Sequence, residues 1–152
     1  MTPRIRIIWA EGADRTLPLP SYETGGAAGA DLRANFPDKR DSVLEPGARA
    51  LIPTGFHVEI PSGFEMQVRP RSGLALKKGL SLPNTPGTID SDYRGPLGVI
   101  LINLGAEPVT IAHGDRIAQA VIAPVVQAQF ELVAGLSETE RGQGGFGSTG
   151  QT

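Results

Sequence analysis

The chain has 152 residues, 14 Lys and Arg against 16 Asp and Glu, and no cysteine. The length suits one domain with a core of its own, and the lack of Cys excludes disulfides, thiolate zinc sites and a Cys nucleophile. A formal net charge of −2 offers no global attraction to a nucleic-acid backbone or a membrane surface, so neither is expected as a partner, and any polyanionic ligand needs a local cluster of Arg and Lys.

The opening MTPRIRIIWAEGADR has an apolar stretch too short and too interrupted for a signal peptide. No later segment could span a membrane, and a cytoplasmic protein is expected. The alternation of Ile5 and Ile7 with Arg4 and Arg6 predicts a first strand. Twenty glycines and thirteen prolines punctuate the chain. Helix interiors tolerate Pro and Gly poorly, at costs of about 3 and about 1 kcal/mol relative to Ala. Short strands separated by turns are therefore expected. Phe56, Val58 and Ile60 alternate with His57 and Glu59. After Pro61-Ser62-Gly63, the alternation resumes in Phe64, Met66 and Val68. The two runs predict a hairpin with one apolar face. Ser72 to Lys78 fits a short helix with Ser72 as N-cap and lysines near its end. Gly98 to Asn103 reads as a strand buried on both faces. Ile117–Ile122 and Val125–Leu132 read as further strands, the second with Val126, Ala128, Phe130 and Leu132 on one side. The predicted fold is an all-β jelly roll or β-sandwich spanning residues 1–136. A polar, glycine-rich arm follows over 137–152 and is expected to be flexible.

Four segments carry chemistry-bearing residues. Arg69-Pro70-Arg71-Ser72-Gly73 sets two arginines beside a helix start. That suits an anion, through backbone N–H groups and guanidinium charge, although composition alone favours a capped turn with solvated arginines. Asn84 to Gly95 holds Asp90, Asp92, Tyr93 and Arg94. An Asp beside a phosphate could deprotonate a water, and an Asp-rich β-turn accounts for the composition as well. Gly114-Asp115-Arg116-Ile117-Ala118-Gln119 reads as a turn followed by a half-exposed strand. In the tail, Gly142 to Gly147 followed by Ser148 and Thr149 nearly matches a Walker A loop. It lacks the Lys and the strand–loop–helix unit, so a P-loop NTPase is rejected. The tail's backbone N–H groups could still wrap phosphates, with Phe146 stacking on an aromatic base; a disordered terminus is the plainer reading. With only His57 and His113, far apart, neither a His-based metal site nor a Ser-His-Asp triad is expected.

Together the segments resemble the trimeric dUTPase family. Its five ordered motifs appear as Ala28-Gly29-Ala30-Asp31-Leu32, Arg71-Ser72-Gly73-Leu74-Ala75, Gly87 to Gly95, Gly114 to Gln119, and Arg141 to Ser148. Ala30 departs from the pattern, in which many members carry a bulky residue, often Tyr. The resemblance implies a homotrimer with active sites shared between subunits, acting on dUTP with Mg²⁺ on the triphosphate. Asp90 is then the catalytic base. Arg71, Ser72 and Gly73 hold phosphate oxygens, with Gln119 nearby. No direct protein ligand to the metal is implied, and Asp31 is a partner to it through water. A hairpin over Asn84 to Gly98, including Thr88 and Ile89, reads uracil through backbone groups and the Asn84 amide. Gly87 and Gly98 give close backbone contact that excludes the thymine methyl. Tyr93 lies against the sugar, and Arg141, Phe146, Gly147 and Ser148 close over the nucleotide from another subunit. Two other readings share these features. A dCTP deaminase has the same fold by resemblance but needs a carboxylate placed for deamination. A nucleotide-sensing binding module would keep the pocket; the presence of Asp90 argues against it.

Overall fold

Alternating apolar and polar residues build short strands around one helix over residues 2–150, described here from a computed structural model; Met1 and the last two residues of the expected arm lie outside the described residues. In chain order the elements are β1 (Arg6–Trp9), β2 (Ala30–Arg33), β3 (Ser42–Leu44), β4 (Arg49–Glu59), β5 (Phe64–Arg69), α1 (Ser72–Lys78), β6 (Leu80–Ser81), β7 (Gly87–Ile89), β8 (Pro96–Asn103), β9 (Val109–Ile111) and β10 (Arg116–Pro124). One sheet runs β1-β4-β8-β6, a second β2-β10-β5-β7, and β3 pairs with β9. Every pairing is antiparallel. Ile52, Phe56 and Val58 of β4 and Leu97, Val99 and Leu101 of β8 form one apolar layer. Leu32, Met66, Val68, Ala118 and Ala120 of the second sheet belong to the same buried cluster. Each fully buried Leu, Ile or Val contributes about 1.5–3 kcal/mol of transfer free energy, so the expected all-β sandwich forms around this shared core.

The pairing differs from the expected one in two places. The runs around Phe56–Ile60 and Phe64–Val68 are not a hairpin. β4 bonds to β1 and β8, while β5 bonds to β10 and β7. Their apolar faces are both buried, but in opposite sheets, and Pro61-Ser62-Gly63 crosses between layers. Likewise, β7 and β8 belong to different sheets, so Asn84 to Gly98 is a crossing rather than a hairpin. Alternation reports which face of a strand is apolar and says nothing about its hydrogen-bonded neighbour.

Burial and capping add three corrections. β8 is buried on one face only: Leu97, Val99, Leu101 and Asn103 point inward while Gly98, Ile100 and Ile102 are half-buried. The helix begins at Ser72, so Arg71 is the N-cap, and it makes no side-chain capping bond. Lys77 and Lys78 do occupy the last turn, ahead of a left-handed Gly79. Finally, Val125–Leu132 forms no strand. It has no ladder partner among the described residues, and Val126, Phe130 and Leu132 are 93%, 96% and 100% exposed.

A polar knot ties the loop before β2 to the turn after β9. Asp14, nearly buried, accepts from Thr16 Oγ1 at 2.6 Å and Thr16 N at 2.9 Å, and pairs with Lys39 at 2.9 Å. Phe36 N–H donates to His113 Nδ1 at 3.1 Å. That assigns the ring proton to Nε2, which faces Asp14 at 3.1 Å. The Thr16 hydroxyl first, then Lys39, the Thr16 amide and His113, hold the Asp14 carboxyl well below the usual carboxylate range. A depressed folded-state pKa makes the ionised form stabilising. The contribution is complete above about pH 4, the unfolded value, and is lost as pH falls through the depressed one. Asp14→Asn should therefore lower stability at neutral pH and flatten its decline below about pH 4, read from urea midpoints across a pH series.

Candidate active site

The outer face of the β2-β10-β5-β7 sheet is largely polar, with Val121 and Ala123 of β10 as its apolar members. Its register sets Asp31, Gln119 and Arg69 in one row across β2, β10 and β5. Two residues on, Val121, Gln67 and Thr88 form the next row. Continuing the β5–β7 register puts Asp90 beside Glu65. On the opposite, inward side lie Ala120, Val68 and Gly87. A two-residue side-chain period thus separates the core from a face free to meet a ligand.

A basic cluster occupies the Asp31 end. Asp31, its side chain only 12% exposed, pairs with Arg71 Nε through Oδ1 at 3.4 Å and with Arg116 Nη1 through Oδ2 at 3.1 Å. Arg71 Nη1 donates to the Arg116 carbonyl at 3.2 Å. Gln119 Nε2 donates to the Pro70 carbonyl at 3.0 Å, and its side chain lies directly on Gly29, where a Cβ would collide with the amide. Glycine lets the Gln119 amide sit this close, and the contacts of Asp31, Arg71, Arg116 and Gln119 interlock the first, second and fourth sequence motifs here. Ser72 and Gly73 are exposed beside the cluster, and nothing stands over Gly73.

Asp90 sits at the other end, in a cleft of about 810 Å³ whose lining includes Phe64, Glu65, Thr88, Asp92 and Val126. The volume is within the range of small-ligand pockets, about 300–1,000 Å³. The cleft carries three carboxylates and no Arg or Lys. The strand from Glu65 to Arg69 alone separates it from the basic cluster by roughly 13 Å, at about 3.3 Å per residue. Within the chain, therefore, Asp90 does not meet Arg71, Ser72, Gly73 or Gln119. Asn84 is exposed, with its amide packed over Gly87. Ile89 faces inward between Met66 and the core, while Thr88 faces out. Tyr93 folds back on its own turn, its hydroxyl donating to the Pro96 carbonyl at 3.1 Å across Gly95, where a Cβ would strike the ring. His57 Nδ1, 2.9 Å from the Arg94 carbonyl, pins the same turn to β4. Gly98 lies on the other sheet against Leu51 and outside the Asp90 cleft. In the tail, Arg141 Nε donates to the Gly144 carbonyl at 2.8 Å, Phe146 is fully exposed, and the bonds of Gly144, Ser148 and Gly150 all close within the tail. Arg141, Phe146, Gly147 and Ser148 thus stand apart from both ends of the sheet.

Sequence reasoning passed over Arg116 and Glu65. Arg116 opens a strand after a Gly-Asp turn, where an Asp–Arg pair reads as structural, and Glu65 looks like an ordinary polar strand position. Only the pairing of β10 with β2, and of β5 with β7, places them beside Asp31 and Asp90. Among the described residues, no group of three or more His, Asp or Glu could hold a metal ion. Both Asp31 oxygens are occupied by guanidinium groups. That donor set fits Mg²⁺ that keeps its waters and takes phosphate oxygens, and it does not fit a protein cage.

The dUTPase family profile matches residues 15–150. A deoxyuridine 5'-triphosphate nucleotidohydrolase of Dinoroseobacter shibae is 66% identical, over 99% of this chain and 99% of its own. The protein of that name from Roseobacter denitrificans is 64% identical, over 96% and 95%. Among solved structures, Staphylococcus bacteriophage 80alpha dUTPase with dUPNHPP superposes with a TM-score of 0.80 at 29% identity, covering 98% of this chain and 99% of that one. A mutant dUTPase from phage phi11 of S. aureus, described with a structural Mg(II) ion, gives 0.74 at 25% identity, over 91% and 100%. With five motifs in order, a matching sandwich and relatives of this identity over nearly the whole length, the chain belongs to the dUTPase family.

Proposed function

We propose that the protein hydrolyses dUTP to dUMP and pyrophosphate, in sites assembled between subunits of a homotrimer. The observation that carries this reading is the division of the polar face. An acidic cleft around Asp90 and a basic cluster around Arg71 lie at opposite ends of one sheet, each half of what a triphosphate needs. A triphosphate cannot sit among three carboxylates without cations from elsewhere, and a neighbouring subunit's Arg71 cluster supplies them. The exposed apolar segment Val125–Leu136 supports assembly too, because side chains of this size left in water gain stability when a partner covers them.

In the assembled site, Asp90 accepts a proton from a water aimed in line at the α-phosphorus. Arg71, with the exposed Ser72 and Gly73 turn and Gln119, holds the phosphate oxygens and stabilises charge on the departing pyrophosphate. Mg²⁺, when bound, would offset charge on the triphosphate, and Asp31 would help hold it through a water. Asn84 and the backbone of Gly87, Thr88 and Ile89 read the uracil edge. Such hydrogen-bonding sites reject the reversed donor–acceptor pattern of cytosine by about 10⁴–10⁵. Tyr93, fixed against Gly95, leaves no room for a 2′-OH. The 137–152 arm closes over the nucleotide from another subunit, Arg141 on phosphate and Phe146 on the base, and residues 1–136 form the domain it closes on. In the cytoplasm, the reaction keeps uracil out of DNA and supplies dUMP for dTTP synthesis.

The test is to incubate the protein with Mg²⁺ and each dNTP, measuring pyrophosphate and ammonia. Pyrophosphate from dUTP alone is expected. None from dUTP overturns the reading, and ammonia from dCTP favours a deaminase.

A further inference from the structure

We propose that Arg116 is a positioning residue for Arg71: it takes one oxygen of Asp31 and so keeps that carboxylate from closing on the phosphate-binding guanidinium. The proposal rests on the reading above, in which Arg71 meets the triphosphate.

Asp31 and Arg71 alone would be matched for a two-point grip, the strongest arrangement open to a carboxylate and a guanidinium. Such a grip would neutralise Arg71 and spend two of its donors. The observed contacts are different. Oδ1 lies 3.4 Å from Arg71 Nε, long for a hydrogen bond, while Oδ2 is drawn to Arg116 Nη1 at 3.1 Å. Arg71 Nη1 is turned to the Arg116 carbonyl at 3.2 Å, and Nη2 has no partner among the described residues. Two guanidinium groups against one carboxylate leave a net positive charge. The exposed Glu23, 3.9 Å from Arg116, reduces it only weakly through solvent.

A break in the β2–β10 register places Arg116. Arg116 lies opposite Arg33 and Ala118 opposite Leu32, so two steps on β10 match one on β2, a β-bulge at Ile117. In regular alternation, Arg116 would share the inward face of Ala118 and Ala120. The bulge instead buries Ile117 and Ala118 in succession and swings Arg116 outward to Asp31. Re-aiming one side chain is a common use of bulges beside active sites. Its backbone carbonyl, displaced by the same bulge, receives Arg71. Side chain and main chain of one residue thus set both ends of the Arg71 guanidinium.

A double-mutant cycle separates this role from a structural one. Wild type, Arg71→Ala, Arg116→Met and the double variant are compared by kcat/KM for dUTP, with Kd for dUpNHpp and Tm measured alongside. Wild type lacking pyrophosphate release overturns the functional reading itself, before the cycle is read. With activity present, Arg71→Ala is expected to lose about 100-fold and Arg116→Met about 10-fold, while the double variant matches Arg71→Ala within about two-fold, because residues acting through one another are non-additive. Arg116→Lys keeps a point charge on Asp31 and should stay within about three-fold of wild type, since the contact it replaces is single rather than forked. Three results overturn the proposal: a double variant in which the losses multiply, an Arg116→Lys protein as impaired as Arg116→Met, or a Tm that falls in step with activity across the series.

Discussion

Asp90→Asn yields a folded protein that still binds dUTP and turns it over about 10²–10⁴ times more slowly, the usual contribution of a positioned general base. The fold should not register the change. The Asp90 side chain is exposed and makes no hydrogen bond or ion pair among the described residues, while its carbonyl, which accepts from Tyr93 N at 3.2 Å, survives the substitution. Exposed substitutions of this kind usually stay within about 0.5 kcal/mol. Asn keeps the size of Asp and loses the ability to accept a proton, so kcat should fall while Kd for dUpNHpp changes little. Removing one of three carboxylates from the cleft should, if anything, tighten binding of the anion. Pyrophosphate release and calorimetry with the analogue measure the two quantities. Loss of binding with loss of turnover would make Asp90 a ligand contact, and full activity would remove it from the mechanism.

Ending the chain at Glu140 should cost about 100-fold or more in kcat/KM, equivalent to roughly 2.7 kcal/mol of transition-state stabilisation, with Tm almost unchanged. Stability is insulated because the tail's hydrogen bonds close within itself and none of its residues belongs to the core cluster. Catalysis is not insulated. In the proposed assembly, closure over the nucleotide would exclude water and bring Arg141 to the phosphates, strengthening every charge interaction inside the site. Arg141→Ala alone should reproduce part of the loss and Phe146→Ala a smaller part. A truncated enzyme of undiminished kcat/KM would make the arm incidental, and a large fall in Tm would give it a structural role instead.

Both predictions concern residues that were legible in the sequence, yet their relation was not. Asp90 and Arg71 stand out as residue types within motifs, and the strands bearing their neighbours follow from alternation. Their separation within the chain depends on β5 running the length of the sheet between them. Arg116 shows the reverse case. It lies within a recognised motif, but its outward aim depends on a one-residue bulge that no local pattern announces. His57, set aside as a catalytic group, holds the turn after Asp90 because β4 and the β7–β8 crossing meet in space.

The sequence by itself determined the all-β class, the apolar face of most strands, the lone helix and the ordered motifs. These depend on local chemistry: side-chain period, the cost of Pro and Gly in helices, and the demands of phosphate and base recognition. Tertiary structure alone decided which strands share hydrogen bonds, and hence that two apparent hairpins are crossings between sheets. It also decided that Val125–Leu132 is left without a strand partner among the described residues. A strand's inward face is set by its own residues, whereas its neighbour is chosen by the whole chain, since any antiparallel partner satisfies the same backbone groups and only the packing of the common core selects among them.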